Sequence, residues 1–267
     1  MNEHNQSNTP PVPEHLFRII DNIQGAFGVL RKEGHYIMRL AMPVLFLKIA
    51  LTAAQSQFSP SASVFEQFLW QLPGNVMMGW LICSITRLII FDERLQNLPI
   101  TDVRFMQYRA GLIKTSIFIG LLFQACLVIM FFIFENAVTA VEKPEDVDSV
   151  VFIFLLAFIG LTFWGIRFML LPLVAAVDYP LRVFLRQIQG FRISFNMFGM
   201  NALCTLPILI CAQIILLSLL APLSAAPEVK KLLFQVSAHP FEILVNVLLT
   251  TSLVLALKEM LGKNLKV

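Results

Sequence analysis

The chain has 267 residues, 57% hydrophobic and only 14% charged, with mean hydropathy +0.76. Soluble domains carry roughly 25% charged residues, so this composition excludes a soluble enzyme, a disordered regulator and a collagen-like fibre; the chain's solvent is largely lipid. Twenty Lys and Arg against seventeen Asp and Glu give +3, too weak for a nucleic-acid binder, so placement of charge matters more than its sum.

Residues 1–13, MNEHNQSNTPPVP, are polar and proline-containing and read as a disordered tail. No apolar run follows Met1, so no signal peptide is expected and insertion is expected to use internal segments of a single integral membrane domain, 14–267. Over 14–33 the pattern turns helical. Leu16, Ile19, Ile20, Ile23, Phe27 and Leu30 form one stripe, Pro13 suits the helix start, and Arg31 and Lys32 close it. Such a helix is expected to lie in the interface or on a neighbour without spanning.

A span needs about 20 mostly apolar residues. Six segments qualify: 36–55, 65–91, 115–134, 149–177, 197–220 and 241–257. The fold class expected is therefore all-α, a polytopic membrane protein with six transmembrane helices plus amphipathic interfacial helices. With the N-terminus cytoplasmic, sixteen cations fall on the inner side and three, Lys143, Lys230 and Lys231, on the outer, with Lys48 unassigned. That bias predicts both termini inside, and the acidic 135–148 loop outside.

Two more segments resemble the first amphipathic helix. In 101–114, Val103, Met106, Ala110 and Ile113 share one side. In 181–195, Leu181, Phe184, Leu185 and Ile188 share one side, opposite Arg182, Arg186, Gln189 and Arg192. Each follows a span ending in an Arg, apolar residues, an acid and a Pro, as TRLIIFDERLQNLP from Thr86 and IRFMLLPLVAAVDYP from Ile166 show. The chain is open to two readings: three repeated units of interfacial helix plus hairpin, or ordinary Arg placement at the cytoplasmic interface.

The block 166–201, with its Arg, Pro, acidic turn, basic helix and following span, together with the helix leading to a first span at 17–51, resembles a bacterial multi-pass inner-membrane family. That family includes the membrane domain of glycerophosphoryl diester phosphodiesterase. Where the family commonly has a Ser-Trp-like core in the interfacial helix, this chain has QIQGFRISF. The phosphodiesterase chemistry of that family belongs to a separate soluble domain, so the resemblance implies a membrane module of the bacterial cytoplasmic membrane and no enzyme.

The residues themselves offer little chemistry. His4, His15, His35 and His239 form no pair for a haem or metal, and no C-x-x-C is present. Cys83, Cys126, Cys204 and Cys211 all fall in predicted spans and read as small apolar side chains, with no disulfide indicated. No phosphate-cradling glycine motif occurs; Gly262-Lys263 stands alone. Scattered serines with no histidine at their depth give no hydrolase triad, and no Asp is mid-span. Glu66 and Glu242 are placed at outer ends and Asp178 at an inner turn, which disfavours a proton-coupled carrier. No catalytic, cofactor or metal site is expected.

Two groups of residues remain as candidates. Arg87, about 31 Å from Glu66, and Arg167, about 27 Å from Ser149, fall at the inner headgroups at 1.5 Å per residue. With Arg104, Arg109, Arg182, Arg186 and Arg192 they either orient the chain or bind anionic lipid or a cytoplasmic partner, each basic residue adding about 1 kcal/mol of attraction. The second group is intramembrane: Lys48, about 18 Å from Tyr36, with Gln71, Asn75, Gln124, Asn201 and Gln213. These either hydrogen-bond between helices or line a polar path. The leading expectation is a non-enzymatic integral scaffold or accessory protein contacting lipid or a protein partner, a second copy included. A permease or channel subunit is next, and a lipid-modifying enzyme third.

Overall fold

Lipid supplies no water for backbone N–H and C=O groups, so an apolar chain closes its hydrogen bonds internally as helices. In the structure, a computed structural model describing residues 18–59, 63–94, 97, 99, 101–139, 144–222 and 226–262, every regular element is helical. In chain order these are α1 (Ile19–Phe58), α2 (Val64–Phe91), α3 (Val103–Ile117), a π-helical stretch (Phe118–Phe123), α4 (Gln124–Thr139) and α5 (Pro144–Gly165). A 3₁₀ turn (Ile166–Leu170), α6 (Leu171–Ala176), α7 (Leu181–Gln187), α8 (Phe191–Leu220) and α9 (Pro227–Leu261) follow. Among the described residues, five helical stretches are long and apolar enough to cross a membrane: Ile19–Phe58, Phe65–Phe91, Val151–Ala176, Phe191–Leu220 and Val229–Leu261. The chain is a membrane-embedded, multi-pass type of protein. The predicted third span, 115–134, is divided among α3, the π stretch and α4 and is not one of the five.

Helix boundaries follow local chemistry. Ser63 and Glu66 close a capping box at the start of α2, with each side chain bonding the other residue's backbone N–H. Asp92, with φ 54°, ends the helix in the left-handed region. Asp102 caps α3, and Pro227 sits in the first turn of α9, where a missing N–H costs nothing.

Three sequence expectations need correction. The amphipathic segment 14–33 and the span 36–55 are not separate over the described residues, because α1 runs unbroken from Ile19 to Phe58. Gly34 is the only breaker at the expected junction, and one glycine costs a helix about 1 kcal/mol against alanine, too little to end it. The sixth span does not start at Phe241; Pro240 lies inside α9, which begins fourteen residues earlier. The basic helix expected over 181–195 is broken between Gln187 and Phe191, where Gly190 is extended (φ −73°, ψ 138°) and starts α8.

α1, α2 and α9 form the centre of the bundle. α1 runs antiparallel to both neighbours: Asn22 meets Glu259 while Thr52 meets His239, and Glu33 meets Arg94 while Thr52 meets Gln71. Between the Gly25–Leu255 and Lys48–Glu242 contacts α1 uses 23 residues, with Pro43 among them, where α9 uses 13. Leu81, Ile85, Val44, Val254 and Leu257 pack the interior between them. On the other side of α2, glycines bring backbones together: a Cβ on Gly79 would stand 2.5 Å from the Ser116 Cα. On Gly120 it would stand 2.7 Å from Val76, at the π stretch, and on Gly111 2.7 Å from the Ala176 carbonyl oxygen. Close approach at small residues is how helices associate where lipid removes the hydrophobic drive.

Candidate functional site

The buried ionisable group that the sequence left unassigned has a partner. Lys48, 4% exposed on α1, forms an ion pair with Glu242 of α9. The second carboxylate oxygen of Glu242 lies 3.0 Å from Nδ1 of His239, one turn earlier on the same helix. Nε2 of His239 lies 2.8 Å from the Thr52 hydroxyl, one turn beyond Lys48 on α1. From α2 the Gln71 amide donates to Thr52 at 3.5 Å and to Gln55 at 3.4 Å. Six side chains from three helices thus form one connected cluster.

Two helices fix its axial position. Gly74 of α2 packs on the Lys48 stem and lies eleven residues, about 16 Å, from Ser63 and thirteen, about 20 Å, from Arg87. Along α9, Glu242 lies about 18 Å from Lys230 and about 24 Å from Lys258. The 42 Å between those lysines is close to the thickness of a bilayer with headgroups, about 40–45 Å. Glu242, expected at an outer end because the span was started at Phe241, lies inside α9, which extends well beyond it.

The other intramembrane candidates are dispersed. Asn75 is buried on α2, one residue from Gly74. Asn201 accepts from Thr205 within α8, and Gln213 is exposed on that helix. Gln124 opens α4, and its side chain lies outside the described residues. Sequence reading named Lys48 and Gln71 and missed Glu242, His239, Thr52 and Gln55. A usable signal was present: a buried ammonium demands a counter-charge, and only Glu228, Glu242 and Glu259 follow Asp178 in the chain.

The arginines divide into two kinds at the opposite level of the bundle. Arg87, 2% exposed, pairs with Glu93 at 2.6 Å, donates to the Ala176 carbonyl at 2.9 Å, and stacks on Phe91 and Tyr108, each 5.1 Å from its guanidinium carbon. Arg167, 4% exposed, donates to the Ile188 carbonyl at 3.0 Å and ties the 3₁₀ turn to the end of α7. Both side chains are committed within the chain. Burial pushes the Tyr108 phenol well above its ordinary range, so the ring packed against Arg87 stays neutral. Beside it Arg94 pairs with Glu33 at 2.8 Å and lies over Tyr36.

Arg104, Arg109, Arg182, Arg186 and Arg192 are exposed. On α3 the large apolar residues of the predicted stripe, Val103, Met106 and Ile113, are exposed as well, while Tyr108, Gly111 and Thr115 pack inward. At 100° per residue the exposed apolar arc lies opposite that packed face, and Arg109 and Lys114 border it on either side. Lys114 also pairs with Asp178. On α7, Phe184 and Ile188 are buried and Leu185 is exposed, so only half of its predicted stripe packs inward.

All four cysteines are free thiols. Among the described residues, no group of three or more His, Cys, Asp or Glu is placed to hold a metal ion. No family model, no curated protein and no solved structure matches the chain.

Proposed function

We propose that the protein is a non-enzymatic integral membrane component whose Arg87 end faces the cytoplasm and grips anionic lipid headgroups, serving as a scaffold or accessory subunit. The observation that carries this reading is α3, where an apolar arc faces outward between two cations. An exposed Val, Met and Ile bordered by Arg109 and Lys114 suit the boundary between acyl chains and phosphates, with cationic stems snorkelling to the headgroups. On this reading six passages cross the bilayer, with the α3–α4 path supplying the third. The excess of cations at the Arg87 end supports this orientation, and the resemblance in layout to the bacterial phosphodiesterase membrane-domain family favours the inner membrane as its place.

Native mass spectrometry after mild detergent extraction tests the lipid grip. Each exposed cation near an anionic surface is worth about 1 kcal/mol, so reversing Arg104 and Arg109 to Glu should cut retained phosphatidylglycerol or cardiolipin at least tenfold. The pair Arg182→Glu and Arg186→Glu should act in the same direction. Unchanged lipid retention in both double variants would remove the headgroup role and leave those arginines as orienting charges.

The Lys48–Glu242–His239 cluster favours a second reading, a permease or channel subunit with a polar path at α1, α2 and α9. Ionisable groups at mid-depth are costly to insert and are characteristic of ion and substrate pathways. That reading requires the cluster to change charge.

A further inference from the structure

We infer that Lys48, Glu242 and His239 form a proton-binding site at mid-depth, with His239 as the group that takes up the proton. This rests on the mid-depth placement of the cluster and on the second reading above, and it is independent of the lipid grip.

One carboxylate serves two basic neighbours, with Oε1 on the Lys48 ammonium and Oε2 on Nδ1 of His239. For a neutral ring the contacts fit one arrangement of hydrogens. A neutral imidazole protonated on Nδ1 donates to Glu242, and its bare Nε2 accepts from the Thr52 hydroxyl, itself an acceptor from Gln71. In that state the ammonium and carboxylate cancel and the cluster carries no net charge, the least costly condition for ionisable groups in a low-dielectric interior.

The lone pair on Nε2, engaged by the Thr52 hydroxyl in the neutral state, is the acceptor for a further proton. Uptake forms one N–H bond there and breaks none in the cluster. The Thr52 hydroxyl turns from donor to acceptor, and net charge rises from zero to +1. Two cations then compete for one carboxylate, which weakens the link between α1 and α9 at this level, and the protons belong to the coupled set as a whole. The Glu242 side chain is 41% exposed whereas that of Lys48 is 5% exposed, so one edge of the pair is open. The chain of Thr52, Gln71 and Gln55 leads from Nε2 toward the Phe58 end of α1.

No other described charge competes at this depth. α2 brings Gln71 and Asn75, its nearest ionisable residue being Glu66, eight residues or about 12 Å from Gly74. On α8, Gln213 lies nine residues beyond Cys204, which meets Ser252, so it stands level with Glu242, while Arg192 is near that helix's far end.

The test uses full-length protein in lipid nanodiscs with His4, His15 and His35 replaced by Gln and the remaining histidine labelled with nitrogen-15. As pH falls from 8 to 5, the ring nitrogens should pass from the neutral pattern, one protonated and one bare, to the imidazolium pattern. The Lys48→Met/Glu242→Gln double variant, which removes both charges together so that neither is stranded, should keep the neutral pattern throughout. A parent ring that stays neutral at pH 5 overturns the proposal without reference to any variant. A double variant that titrates as the parent does removes Glu242 from the site.

Discussion

Glu242→Gln is expected to destabilise the folded protein by about 3–5 kcal/mol, because it strands the Lys48 ammonium where water cannot reach it. The reverse substitution is milder. Lys48→Met leaves a carboxylate that keeps its contact with Nδ1 of His239, whereas Glu242→Gln leaves the ammonium with no charged partner among the described residues. Removing both charges as Lys48→Met/Glu242→Met should return stability close to that of the parent, since a buried ion pair and apolar residues of similar volume are often equivalent. Thermal unfolding in detergent micelles, followed by tryptophan fluorescence, orders the four proteins. Equal losses in the two single variants would contradict the asymmetry in partners.

Arg87→Met should be as damaging at the other level of the bundle. It strips the counter-ion from Glu93, whose side chain is 10% exposed, and removes the donor to the Ala176 carbonyl and the cation between Phe91 and Tyr108. A loss of about 3–5 kcal/mol follows from the uncompensated carboxylate alone. Arg87→Lys should recover little, because an ammonium lacks the planar fork that reaches Glu93 and Ala176 at once. Arg182→Ala and Arg186→Ala, at exposed positions, should change stability by less than about 0.5 kcal/mol. The same melting measurement separates the sets. An Arg87→Met protein as stable as Arg182→Ala would mean that the buried guanidinium is not holding α2 to α6.

Much of the architecture was legible because apolar length is a strong signal. The second span was expected at 65–91 and α2 occupies Val64–Phe91; the fifth, expected at 197–220, shares its end with α8. Boundaries failed where polar residues were read as ends. Arg31 and Lys32 suggested the close of an interfacial helix, yet a helix tolerates exposed cations and one glycine without breaking. His239, Pro240 and Glu242 suggested the edge of the last span, although each is accommodated within α9: the proline lacks only one backbone donor, and the two polar side chains have partners on α1. That misplacement hid the site. Position along one helix can be counted from sequence, but the meeting of Lys48 with Glu242, 194 positions away, depends on the tertiary packing of α1 on α9, which no local pattern encodes. The arginines failed differently. All seven look alike in sequence, and only packing separates Arg87 and Arg167, consumed within the chain, from the five that face outward.

The placement of a charged cluster in the middle of the bilayer is the central claim, and spin-label depth measurement tests it most directly. Leu244, exposed on α9 two residues from Glu242, carries the label in a protein whose exposed Cys126 and Cys211 are replaced by Ala. Reference labels replace Lys230 and Lys258. In nanodiscs the label at 244 should collide readily with oxygen and be shielded from a water-soluble nickel chelate, with the opposite order at 230 and 258. A label at 244 as open to the chelate as the one at 230 would put the cluster in water and contradict the account.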